Sequence, residues 1–182
     1  MQYLESLPTS RGRAGSDWWF NTLTHSLLLG MVANRWADVG RICETLKTSW
    51  LEGPVSDDVP LQYAQVFFLI ASAFRTEPMR NVADLESSVA RGFPKRPRHL
   101  LACWQAVHDR DQAKLDAALV TSLERFKARP SSVLTLHGPT GNLPEAESVI
   151  HLAAIHLGLQ PATLPDSLAD FLITPASIGI GA

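Results

Sequence analysis

The sequence has little cysteine, little net charge and only short apolar runs. Its two cysteines, Cys43 and Cys103, each lie in an apolar helical pattern, so we expect buried free thiols in a reducing compartment and no disulfide. The formal net charge of -2 lacks the basic excess of a nucleic-acid binder, so we expect no nucleic-acid partner. The apolar run VFFLIASAF is too short to cross a bilayer, and the first residues lack the apolar core of a signal peptide. We therefore expect no membrane partner and a cytoplasmic location.

The composition is that of a globular chain with an ample core. Hydrophobic residues make up 46% and charged residues 19% of 182 positions. A chain of this length buries roughly 70% of its unfolded surface. Residues 1–15 are polar and contain Pro8, Gly12 and Gly15, so they predict a flexible N-terminal arm, followed by a single α-helical domain over residues 16–182.

Helical spacing of apolar residues dominates the first half of that domain. Ser16 predicts an N-cap for a long first helix, which we expect to break near Gly40 before a second helical run that ends at a Gly-Pro pair. A third helix is predicted over residues 60–77. Because apolar residues surround most of its circumference, we expect it to be central. A fourth is predicted over residues 79–92.

The second half continues the helical pattern. Leu100, Trp104 and Val107 share one face, and the DRD turn (residues 109–111) follows, with Asp111 capping the next helix. A final long helix is expected to open at Pro144 and to stop at Gly158, with a short one over residues 165–172. Two further stripes predict core faces: Leu115, Ala118, Leu119, Ser122 and Phe126; and Ala146, Val149, Ile150, Ala153 and Leu157. The predicted class is all-α, with antiparallel helical hairpins packed as an irregular bundle or short helical stack.

The glycine-rich stretch HGPTGN, residues 137–142, is tested first as a phosphate-binding loop. Such a loop needs a lysine and a Ser or Thr after its last glycine, whereas Asn142, Leu143 and Pro144 follow here. Glu145 and Glu147 in the next helical turn would also repel an anion. The stretch is predicted to be a connector, and no cofactor is expected.

The metal-ligating residues are too scattered to predict a site. Glu147 with His151, and His99 with Cys103, have the spacing of four that places two ligands on one helical face. A structural zinc site needs four ligands, and neither pair has a third and fourth nearby. We expect no metal, and interpret Glu147 and His151 as a pair on the helix surface.

Sequence patterns for catalysis are equally weak. Asp57 and Asp58 are adjacent in a loop, where side chains diverge. Cys103 is a poor nucleophile inside an apolar helix. These patterns predict a protein that is not an enzyme. The pair in DWW is different, because two adjacent rings on a helix cannot both face one core. One of Trp18 and Trp19 therefore packs under the N-terminal arm or anchors a partner.

From about Leu101 onward the chain resembles a known family. The helix before the DRD turn is followed by LDAAL, then by LAAIHLGL, a Leu-Pro pair and a closing DFLI. This order is similar to the C-terminal half of the immunity protein 49 family of bacterial polymorphic-toxin systems. The matching positions are Asp109 and Asp111, Ala117 to Leu119, Leu152 to Leu159, Leu164, Pro165 and Leu172. The resemblance implies binding and neutralisation of a cognate toxin, and it carries no catalytic residues.

The resulting hypothesis is a non-enzymatic immunity protein whose partner is a cognate protein toxin. Charge and aromatic character predict the following partner contacts: Glu52, Asp57, Asp58, Glu145, Glu147 and Trp18. They would suit a basic, nucleic-acid-degrading toxin. Two alternatives remain. One is a helical-hairpin interaction scaffold without a toxin, and the other is a small α-helical metal-dependent enzyme that uses His99, Cys103, His137 or His151.

Overall fold

The computed structural model describes residues 16–45, 95–128 and 143–179. The helices are α1 Ser16–Val32, α2 Trp36–Thr45, α3 Lys95–His108, α4 Gln112–Lys127, α5 Glu145–His156 and α6 Asp166–Ala169, followed by a 3₁₀ turn at Ala176–Ile178. All regular structure in these three ranges is helical, which confirms the all-α class. The predicted arm, the two helices over 60–77 and 79–92, and the HGPTGN stretch lie outside the described residues.

The described helices share one main apolar core. The three-residue DRD turn joins α3 and α4, which have the most extensive contact of any described pair. Helix α1 packs against α5 and α2, and α5 also contacts α3 and α4. A smaller cluster joins Leu123 of α4 to Leu168 and Leu172, and Leu164 packs against both clusters. The pairing of helices as antiparallel hairpins stays a prediction.

The break between α1 and α2 falls at residues 33–35, so the predicted break at Gly40 is wrong. Asn34 has a φ of 55°. Its N–H donates to the Met31 carbonyl at 3.0 Å, and the Arg35 N–H donates to the Gly30 carbonyl at 2.8 Å. These two bonds are the Schellman termination of a helix, in which asparagine tolerates the left-handed position. Gly40 lies inside α2, where nothing forces it out of helical geometry.

The same termination ends α3 and α5. Arg110 has a φ of 57° and Gly158 a φ of 96°, and each is flanked by the same pair of backbone bonds. The Asp111 carboxylate accepts the Lys114 N–H at 3.0 Å, which confirms the predicted cap of α4. Gly158 confirms the predicted end of α5.

Most of helix α5 is buried on every side. All residues from 145 to 154 are buried, including four polar ones, and only its last two residues, Ile155 and His156, are exposed. The sequence predicted a single apolar stripe with Glu147 and His151 on the surface, and that interpretation of the pair is wrong. The reason is that α1, α3 and α4 all pack around this helix, so residues 145–154 have no face left for solvent.

Candidate functional site

The buried polar residues of α5 form a cluster whose members bond to other elements. Glu147 is 1% exposed, and its Oε1 accepts a hydrogen bond from the Ser122 hydroxyl of α4 at 2.8 Å. Glu145, also buried, has its Oε1 3.2 Å from Nδ1 of His25 on α1. These two carboxylates therefore tie α5 to its neighbours.

The predicted partner contacts are placed differently from the expectation. Glu145 and Glu147 are interior, so the exposed acidic helix start that was predicted there is wrong. Glu52, Asp57 and Asp58 lie outside the described residues. Trp18 falls in the first turns of α1, and its side chain is not described. Of the six, only the Glu145 and Glu147 side chains lie among the described residues, and both are buried.

The remaining polar residues of α5 hold the chain that follows it. Ser148 donates to the Pro144 carbonyl and accepts the Ile173 N–H, both at 3.0 Å. His151 accepts the Ala162 N–H on Nε2 at 3.1 Å. Burial lowers the pKa of His151, and the Asp116 carboxylate on α4 opposes that shift. The neutral imidazole is therefore the form that suits this position.

The two thiols are buried and form no disulfide, as the sequence predicted. Burial raises the pKa of the Cys103 thiol far above its ordinary value, and the negative charge of Glu147 adds to the shift. A thiol held protonated in this way is a poor nucleophile and a poor metal ligand.

A surface groove of about 680 Å³ lies along α3 and α4. Its lining combines small and polar residues: His99, Ala102, Trp104, Gln105, Ala106, His108, Asp109, Lys114, Ala117, Ala118 and Thr121. The sequence did not predict this groove. The feature of the sequence that could have indicated the groove is the set of alanines on both helices. Small side chains at a helix–helix contact leave space between the two helices.

Both ends of this groove carry ionisable groups. At one end burial lowers the pKa of His99, and the nearby charges of Arg125 and Arg98 lower it further. At the other end the exposed His108 ring stacks on Trp104 with 5.2 Å between centroids. Lys114 lies 3.2 Å from Asp111 and 3.8 Å from Asp109. The groove thus has hydrogen-bond donors and acceptors beside the alanine side chains of its lining.

The residues proposed for metal chemistry do not form a group of ligands in the described ranges. His99 and Cys103 both lie near enough to Glu147 to be influenced by its charge, while the charge acting on His151 is that of Asp116. Within residues 16–45, 95–128 and 143–179, no three His, Cys, Asp or Glu side chains are grouped to hold a metal ion. His137 lies outside these ranges.

No family model, no curated protein and no solved structure matches the chain. None of the helices in the described ranges combines the length and apolarity needed to cross a membrane. The likeness to the immunity protein 49 family stays a prediction from the residues quoted above.

Proposed function

We propose that this protein is a non-enzymatic immunity protein that binds and neutralises a cognate bacterial toxin. The observation that carries the proposal is that segments quoted for the resemblance pack together. Arg110 lies between the matching positions Asp109 and Asp111 and donates to the Leu157 carbonyl at the end of α5. Leu164 packs against both apolar clusters, and Leu172 is buried in the smaller one. If these segments form the shared structural framework of a family, contacts between them are expected.

The polar interior supports a binding role over a catalytic one. Glu147 and His151 are engaged in bonds that hold other elements, and Cys103 is a buried thiol of raised pKa. A reactive side chain must be exposed to its substrate, whereas these three act inside the fold. Their arrangement favours a rigid framework that presents a surface.

The surface that we assign to the toxin is the groove between α3 and α4. Its volume of about 680 Å³ can receive part of a polar loop, and its ionisable groups at both ends can fix the register of that loop. His99, His108 and Lys114 can donate to carboxyl or carbonyl oxygens of the toxin, while Asp109 can accept from a cationic side chain.

The direct test is co-expression with the product of the adjacent gene. The proposal expects a complex that survives purification, together with rescue of growth when that product is toxic alone. Ala117→Arg fills the groove from an exposed position, and should weaken the complex by at least about tenfold, since one central interface residue is often worth more than 1 kcal/mol.

A matched control uses the same substitution on the same helix. Ala128→Arg is exposed at the other end of α4, outside this groove, and should leave affinity unchanged. Equal loss in both variants would exclude the groove as the binding surface. A neighbouring gene product that binds but is harmless would favour the scaffold alternative, and absence of any complex would reject the immunity proposal.

A further inference from the structure

The segment between α5 and α6, residues 157–165, crosses the ends of α4 and α5 without regular structure; we call it the strap. Three polar contacts hold it. The Leu157 carbonyl accepts from Arg110, the Gln160 N–H donates to Oε1 of Gln112 at 3.0 Å, and the Ala162 N–H donates to Nε2 of His151 at 3.1 Å. Within the strap, the Leu159 side chain is buried, and Ala162 and Leu164 pack against the main core.

The bond from Ala162 fixes the protonation state of His151. Because Nε2 accepts an N–H, it carries no proton, and in a neutral imidazole the proton must then sit on Nδ1. His151 is 5% exposed. Its Nδ1 is buried and has no hydrogen-bond partner within the part of the chain that the structure describes. Among the described residues the ring therefore has one anchoring bond, the one from Ala162, and that bond depends on an unprotonated Nε2.

Protonation of Nε2 would place two N–H donors opposite each other. Nε2–H would face the Ala162 N–H, and the new charge would be buried. Few ionisable groups bear on this ring. On α4, Asp116 is the charge that acts on it, and on α5, Glu147 bonds to Ser122 instead. At the far end of α5, His25 of α1 bonds to Glu145, and the strap itself contains no ionisable residue.

We propose that His151 is a proton-sensitive latch that holds the strap closed when neutral and releases it at mildly acidic pH. On release the imidazolium can turn towards the Asp116 carboxylate. The side chains of Leu159 and Leu164 in the strap then become exposed to solvent. The lowered pKa of His151 in the closed state agrees with release on acidification. Because closing lowers this pKa, the closed state is favoured at pH values above the pKa of the free imidazole and is disfavoured below it.

The size of the effect follows from linkage. If only the open state takes up the proton, with an imidazole pKa near 6.5, the opening equilibrium rises about tenfold between pH 7.5 and 5.5. The strap amides of Gln160 and Ala162 should report this rise in hydrogen exchange after correction for intrinsic rates. Amides of α4 should not, because the core around Leu115 and Leu119 stays closed.

The experiment is hydrogen exchange on the full chain at both pH values. In His151→Gln the side-chain oxygen can replace Nε2 as acceptor but cannot titrate, so the tenfold rise should disappear. In His108→Gln it should remain, because His108 is an exposed imidazole that stacks on Trp104. A second measurement on the wild-type chain, NMR titration of the His151 ring, should give a midpoint that coincides with strap opening.

Three results would overturn the latch. These are a strap protection that does not change with pH, a rise that persists in His151→Gln, or an equal rise in the α4 amides that signals global unfolding. If His151→Gln fails to fold, the wild-type comparison decides. A ring titration separated from strap opening by more than about one pH unit would then reject the proposal.

Discussion

Removing the Ser122 hydroxyl should destabilise the protein far more than removing the hydroxyl next to it. Ser122 is 3% exposed and donates to Glu147, which is 1% exposed. Ser122→Ala leaves a buried carboxyl oxygen without this donor, and such a loss costs about 2 kcal/mol. For a chain of this size that corresponds to a fall in Tm of roughly 4–8 °C.

The neighbouring residue provides the control. Thr121 is exposed, and its hydroxyl bonds to the Ala117 carbonyl of its own helix at 2.9 Å. Thr121→Ala should therefore change the free energy of unfolding by less than about 0.5 kcal/mol. Urea unfolding followed by tryptophan fluorescence can measure both variants, because the chain contains five tryptophans.

A double-mutant cycle with Glu147→Gln isolates the bond itself. The amide oxygen that this substitution introduces would still accept from Ser122, so the cost of Ser122→Ala should fall towards about 1 kcal/mol, the value of a neutral hydrogen bond. Equal costs for Ser122→Ala and Thr121→Ala would refute the buried bond, and with it the placement of α5 at the centre of the described helices.

Three further outcomes follow from burial and backbone geometry. Both thiols should resist an alkylating reagent in the native chain and react fully in denaturant, as mass spectrometry would show; rapid native labelling would contradict their burial. Gly158→Ala should lower the free energy of unfolding by about 1 kcal/mol or more because of the positive φ at this position. Gly40→Ala, in open space within α2, should raise it by roughly 0.5–1 kcal/mol. Equal thermal shifts in the two variants would contradict this. Burial lowers the pKa of His99 and of His151 in the folded chain. As pH falls below about 6.5 the unfolded chain therefore binds protons first, and the free energy of unfolding should decrease. A free energy of unfolding that does not change between pH 7 and 5 would count against this prediction.

Features decided by local chemistry were predictable from the sequence. The Asp111 cap, the Gly158 termination and the buried stripe of α4 each depend on residues within a few positions of one another, and the structure has all three. The sequence places the break after α1 near Gly40, whereas the structure has it at residues 33–35. Asn34 can adopt the left-handed conformation as well, while Gly40 is tolerated inside a helix at modest cost.

Features decided by packing between distant segments were not predictable. Glu147 and His151 are polar and four residues apart, and for an isolated helix the expectation of a solvent-facing pair is sound. Their burial depends on the helices that surround α5, which the sequence of α5 alone does not reveal. The groove has the same origin, because it belongs to the relation of α3 to α4 and to neither helix separately.

The burial of α5 also bears on how the sequence can change over generations. A helix with one exposed face can accept substitutions there without effect on its neighbours. From residue 145 to residue 154 this helix has no such face, so a change of volume or polarity at any of these ten positions must be met by a change in another helix. Substitutions in α5 are thus coupled to substitutions in α1, α3 and α4. Among the described helices, α5 should therefore diverge most slowly in sequence.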